Sequence, residues 1–251
     1  MLVPDWWRAQ ILLSKVKRFG ANVNTEPLHS AYHFTFEKGA KLKRVNCVGK
    51  GFSIKIGADS YWRSGMAIGN IHIGRFCSIS SNVTIGLEKN GHPTNWLSSS
   101  PAQYSKSHLC KHRTSPTLSY QPKLSATIIQ SDVWIGNRAT VMNGVQVGVG
   151  AIIAAGSIVT KSVPPYAIVA GIPAELVKYR FNHEVIQRLL DSHWWNLHPE
   201  YLADLPFSDI GQCLSLLESN EQQSKKSSIF DGSNYAVFEA SGLKHLLNES
   251  K

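Results

Sequence analysis

Residues 129–164 read IQSDVW IGNRAT VMNGVQ VGVGAI IAAGSI VTKSVP, blocks of six that each open on an aliphatic residue: Ile129, Ile135, Val141, Val147, Ile153 and Val159. If aliphatics fill about a quarter of positions, such hits in register arise by chance on the order of once in several thousand. The fifth place is restricted too, to Val133, Ala139, Val145, Ala151, Ser157 and Val163. This period matches neither the roughly 3.6 of a helix nor the alternation of a strand. It suits a triangular solenoid in which each block supplies one short strand and a corner. The opening aliphatic points into the narrow interior and the small fifth residue fills what remains. Gly and Asn between them suit tight corners that need positive φ.

The same phase continues upstream with slips. Ile73, Ile79 and Ile85 head IGRFCS, ISSNVT and IGLEKN, preceded by Ile56, Trp62 and Ile68 and, more weakly, by Phe36, Leu42, Val48 and Ile54. Register shifts from Ile54 to Ile56 and from Ile68 to Ile73 predict small bulges. Three blocks close one coil, so the pattern predicts about six or seven coils stacked roughly 4.8 Å apart. The expected organisation is an amino-terminal helical segment over 1–33, an all-β solenoid over 34–181 with an excursion loop at 87–128, and a helical extension and tail over 182–251.

Composition bounds the class. The chain has 251 residues, 43% hydrophobic and 17% charged, with a formal net charge of +9, ordinary for a globular protein with an anionic partner. No run of apolar residues is long enough for a membrane-spanning helix. The start MLVPDWWRAQ lacks the order of a signal peptide, so a cytoplasmic location is expected. Cys47, Cys77, Cys110 and Cys213 are scattered without a Cys-x-x-Cys pair, which argues against a zinc site or a disulfide framework. Neither a metal nor a nucleic-acid partner is expected.

Three further stretches carry a resemblance: VWIG at 133–136, AAGSIVTKSVPPYAIVAGIPAELVKYRF at 154–181, and GHP inside the excursion. Together with the blocks of six they resemble the hexapeptide-repeat acyltransferases, in particular the xenobiotic and polysaccharide O-acetyltransferase branch, over about residues 34–181. The resemblance implies a left-handed parallel β-helix, acetyl-CoA as the acetyl donor, and a homotrimer with active sites between subunits.

Acetyl transfer to a hydroxyl needs a base to take the proton as the oxygen attacks the thioester carbonyl, a task matched by histidine. The resemblance places that base in the excursion, at His92. His108 and His112 are rivals within SHLCKHRTS, a basic patch suited to surface or acceptor contact. The ring's orienting partner is open between a backbone carbonyl and a carboxylate such as Glu88. The resemblance places donors for the oxyanion on the strand holding Trp134, Ile135 and Gly136, although Trp134 equally suits a wall residue with its indole outside.

A pantetheine arm running along a strand edge favours small residues, here Ala154, Ala155, Gly156 and Ser157. Phosphates of CoA call for cations. The candidates are Lys161, which with Thr160 matches the family's VTK, together with Lys178 and Arg180. For the acceptor, Tyr61, Trp62, Asn70, Asn82 and Trp96 are candidates, with Tyr104 and Tyr120, since aromatics suit a sugar face and a flat drug alike. The expected acceptor is a carbohydrate hydroxyl of a surface polysaccharide or its precursor. A hydroxylated antibiotic is the alternative, and a binding-only scaffold is a further one that leaves GHP and the lysines without a use.

The ends read separately. PDWWRAQILLSKVKRFG suggests a basic amphipathic helix, covering the first coil or touching an anionic membrane. Val185, Ile186, Leu189 and Leu190 are in helical phase before Trp194 and Trp195, which predicts a helical extension capping the far end of the solenoid. Residues 220–228 read as a polar linker, and a short final helix is expected within 229–251.

Overall fold

The computed structural model describes residues 22–24, 32–49, 51–105, 109–112, 118–122, 124–219, 235–239 and 246–247. They form a parallel solenoid of about six coils with three walls. The first wall stacks Asn22–Asn24, Lys41–Lys43, Tyr61–Trp62, Ser78–Ile79, Trp134–Ile135, Ile152–Ile153 and Ala167–Gly171, and ends in the antiparallel strand Ala174–Tyr179. The second stacks Val45–Val48, Gly65–Ile68, Val83–Leu87, Thr140–Met142 and Ile158–Val159. The third stacks Tyr32–Glu37, Phe52–Ile56, Ile71–Ile73, Thr127–Ile129 and Gln146–Val147.

The interior follows the block pattern. Ile129, Ile135, Val141, Val147, Ile153 and Val159 are at most 1% exposed, and the fifth-place residues from Val133 to Val163 are buried beside them. Their register is direct: Ile129 pairs with Val147, Ile135 with Ile153, Val141 with Val159. Upstream, two expected inward residues face out. Val48 is 41% exposed, and Cys47 takes the interior place; Ala67 is buried where Ile68 was expected. The cause is uneven coil length. Leu42 pairs with Trp62, but Trp62 pairs with Ile79, so a fixed step cannot hold and the apolar neighbour at each slip points outward.

One corner explains how the carboxy-terminal part is attached. The left-handed residues Gly39, Asp59, Phe76, Asp132, Gly150 and Tyr166 stack there, with φ between 54° and 87°. Such φ is unfavourable for Phe76 and Tyr166, but it projects both rings outward. Trp194 packs on Phe76 at 5.3 Å between centroids, and its indole N–H donates to the Tyr166 hydroxyl at 3.4 Å. Helices His183–Ser192 and Ile210–Glu218, N-capped by Asn182 and Asp209, bury Leu189, Leu214 and Leu217 over this platform together with Val149. The extension therefore lies along the flank of several coils and does not cap the solenoid's end as expected.

Two other expectations change. Asn22–Asn24, inside the segment expected to be helical, is a strand on Lys41–Lys43, while the basic amphipathic stretch before it lies outside the described residues. Tyr235–Glu239, expected near a short helix, is instead a strand antiparallel to Tyr32–Glu37, with Leu246–Leu247 beyond it. The polar linker at 220–228 lies outside the described residues. Among those described, no helix is long and apolar enough to cross a membrane.

Candidate active site

The excursion leaves the second wall after Leu87 and rejoins the third at Thr127. Asn143 fixes both of its feet. The Asn143 backbone N–H donates to the Leu87 carbonyl at 2.8 Å, its Oδ1 accepts the Ser125 N–H at 2.9 Å, and its Nδ2 donates to the Ser125 carbonyl at 2.9 Å. A third tether comes from Lys89, whose ammonium donates to the Thr160 carbonyl at 2.6 Å. It ties the root of the loop to the coil that carries Lys161.

Within the loop three aromatic rings form a small core. Trp96 meets Tyr104 and Tyr120 at 5.8 Å each, and Tyr104 meets Tyr120 at 5.6 Å. The Tyr120 hydroxyl donates to the Asn90 carbonyl at 2.8 Å, and Pro93 is buried while its neighbour His92 is exposed. The Tyr104 hydroxyl lies 3.4 Å from His92 Nδ1. With Nδ1–H donating to that oxygen, Nε2 carries the lone pair, the state a general base requires. The group beside that ring nitrogen is the Tyr104 hydroxyl, where a backbone carbonyl or Glu88 was expected. Glu88 Oε2 folds over Gly91 instead. His112 is exposed in a short 3-10 turn, and His108 lies outside the described residues.

Several expected site residues have other duties. The indole of Trp62 is inside the solenoid, 1% exposed, and donates to the Ser64 carbonyl at 3.0 Å, so it cannot face an acceptor. Asn70 Oδ1 accepts from the Ser53 N–H and hydroxyl, bridging coils. Ser157 is buried, and its hydroxyl accepts the Gly171 N–H, which removes it from a pantetheine path. Arg180 pairs with Asp132 at 2.9 Å, donates to the Gly150 carbonyl and lies over Tyr166; it joins coil to extension and is not a free phosphate ligand. Burial holds the Asp132 carboxyl above its ordinary range despite that arginine.

The oxyanion assignment on Trp134 and Gly136 also fails. Their N–H groups already donate to Ala151 and Ile153 carbonyls at 2.9 and 2.8 Å. Gly136 is needed for close stacking, since a Cβ there would stand 2.5 Å from Ala155 N. The Trp134 side chain is 54% exposed on the outer wall.

What remains accessible falls at two corners and one edge. Ala155 and Gly156 are exposed at the corner between first and second walls, with Ala154 half-buried beside them. A Cβ on Gly156 would meet no atom within 4 Å, so this corner is open. Thr160 and Lys161 stand at the next corner with the loop root, and Lys178 is exposed on the terminal strand Ala174–Tyr179. Tyr61 lies on the outer first wall with Arg63 over its ring at 5.9 Å, and Asn82 is an exposed left-handed corner residue. Burial pushes the Cys47 and Cys77 thiols up to about 12, which leaves both unreactive. Among the described residues no His, Cys, Asp or Glu cluster is grouped to hold a metal.

Asn143, Lys89 and the role of Tyr104 were not anticipated. Asn143 did sit at a corner place of its block, but nothing in the block marks a residue that holds a loop.

No family model matches the chain. It is 45% identical over 125 residues to a chloramphenicol acetyltransferase of Klebsiella aerogenes, covering 49% of this chain and 58% of that protein's length. To a probable macrolide acetyltransferase of Lysinibacillus sphaericus it is 39% identical over 132 residues, covering 53% of this chain and 72% of that one. The solved polySia-specific acetyltransferase NeuO superposes with a TM-score of 0.45 at 26% identity, over 64% of this chain and 67% of that chain. With its repeat, its three-walled coil and its likeness to the chloramphenicol and macrolide acetyltransferases, the chain belongs to the hexapeptide-repeat acetyltransferases of the left-handed β-helix fold.

Proposed function

We propose that the protein transfers an acetyl group from acetyl-CoA to a hydroxyl of a carbohydrate acceptor, with His92 as general base in a direct transfer. The observation that carries the reading is the exposed His92 ring, its Nδ1 3.4 Å from the Tyr104 hydroxyl, on a loop tied by Lys89 to the Thr160–Lys161 corner. His92 takes the acceptor proton as the oxygen attacks the thioester carbonyl, the C–S bond breaks, and CoA leaves as the thiol. Ala155 and Gly156 offer a slender arm an open corner, while Lys161 and Lys178 supply charge for phosphates. The chain works as a homotrimer, in which a neighbouring copy completes the cleft and supplies the oxyanion donors that the strand at Trp134 lacks.

A carbohydrate is favoured over a drug because the loop's aromatics pack on one another instead of lining an apolar pocket, and the adjoining third wall is polar, with Ser53, Lys55 and His72 outward. An antibiotic hydroxyl is the second reading, favoured by the names of the relatives. Incubation with acetyl-CoA and a panel of oligosaccharides, nucleotide sugars, chloramphenicol and a macrolide decides between them. Transfer to an antibiotic with none to any saccharide overturns the first reading. The basic amino-terminal stretch gives a peripheral contact with anionic membrane, the surface on which lipid-linked glycans are built.

A further inference from the structure

The transfer reading leaves unused a cleft of about 670 Å³ between the third wall and the helical extension. Its frame is rigid. The Arg75 guanidinium binds the Glu37 carboxylate through two bonds, at 2.6 and 2.8 Å, and donates to Asn196 Oδ1 at 3.2 Å. Glu37 in turn accepts the Ala58 N–H.

Around this frame stand donors that no group in the described residues engages: the Lys55 ammonium, the Trp195 indole N–H and the Thr35 hydroxyl. Among the described residues, no carboxylate other than the engaged Glu37 lines the cleft. A surplus of donors with one free cation matches an acceptor-rich ligand bearing one negative charge, not the several charges of a nucleotide. Trp195 adds a flat apolar face of the kind that carries a sugar ring.

The cleft also lies in line with the loop. Strand Ile71–Ile73 starts next to Asn70, whose carbonyl accepts the Thr127 N–H where the excursion returns, and it ends at Gly74 in the cleft floor. At about 3.3 Å per residue this separation is on the order of 10 Å, longer than one sugar ring. Lys55 pairs in register with His72 on the outer face between them. Burial and the neighbouring Lys55 lower the His72 pKa.

We infer that this cleft and the wall leading to it form a subsite for a second, carboxylate-bearing residue of the acceptor, which makes the substrate an anionic polysaccharide chain and not a single sugar. The inference rests on the glycan reading of His92 and specifies its substrate class. Lys55 pairs with the carboxylate, and Trp195 stacks on the ring.

The test is direct binding, read by tryptophan fluorescence and calorimetry, of intact protein and its His92→Ala form. The probes are tetrasaccharides of galacturonic acid, of sialic acid and of hyaluronan, with maltotetraose as the neutral control. At least one carboxylated tetramer binds both proteins, about tenfold or more tighter than maltotetraose. Lys55→Glu weakens it by about tenfold and Lys55→Met by less, while transfer to a single-residue hydroxyl acceptor is unchanged. Equal binding of charged and neutral tetramers, no binding at all, or indifference to Lys55→Glu overturns the inference. Loss of transfer in His92→Ala with no tetramer bound sinks the subsite alone. Tetramer binding with no acetyl transfer to any acceptor supports the subsite and overturns the transfer reading.

Discussion

In the coils from Ile129 to Val163 every inward residue is buried, and strands such as Trp134–Ile135 and Thr140–Met142 donate backbone hydrogen bonds to the next coil. Between Glu88 and Ala126 the described residues of the excursion have no such ladder: they stand on Asn143 and Lys89 and on the packing of Trp96, Tyr104 and Tyr120. The coils draw stability from many repeated contacts, any of which is shared with neighbours above and below. The loop depends on a few contacts made once. A catalytic group set on such a loop is addressed by single side chains, so stability and activity should separate under mutation.

The largest effect expected is on rate alone. His92→Ala removes the base and lowers acetyl transfer by about 10²–10⁴-fold, with the thermal transition and acetyl-CoA binding unchanged. A variant keeping more than about a tenth of the rate takes the base role away from His92. Ile135→Ala is its counterpart in the wall. It removes a side chain with no exposure and costs about 2–5 kcal/mol in denaturant unfolding, with little change in rate per folded molecule. A large loss of kcat without a loss of stability would break the contrast.

Asn143→Leu probes the junction between the two regions. Leucine keeps the volume but leaves the Ser125 N–H and carbonyl unpaired, so unfolding loses about 1–3 kcal/mol. Transfer falls by about tenfold as the loop's feet loosen, and kcat should fall more than KM for acetyl-CoA rises. Equal changes in both would mean that the loop position serves donor binding only. Tyr104→Phe is the mildest change. Ring packing stays, but the oxygen beside His92 Nδ1 is lost, so kcat drops about threefold to tenfold while KM for acetyl-CoA holds. An unchanged kcat separates Tyr104 from His92.

Much of this was legible in the chain. The inward residues from Ile129 to Val163 could be read because three-walled closure demands an apolar residue at each fixed step, and six such steps in phase leave little choice. GHP could be read as a loop interrupting that phase. Cys47 in place of Val48, and Ala67 in place of Ile68, could not, since both members of each pair are apolar and only the stacking of Cys47 on Ala67 and of Ala67 on Ile85 sets which one turns inward. Arg180 looked like a free cation because its partner Asp132 is 48 residues away.

The sequence by itself determined the period, the three-walled coil and the histidine that interrupts it, because these depend on spacing along the chain. Only the tertiary structure decided which polar groups are free. Tyr104 meets His92, Asn143 holds both ends of the loop, and Ser157, Trp62 and Arg180 are engaged within the fold, because partners separated in sequence are chosen by the coil's register and by the corner on which Phe76 and Tyr166 receive the extension.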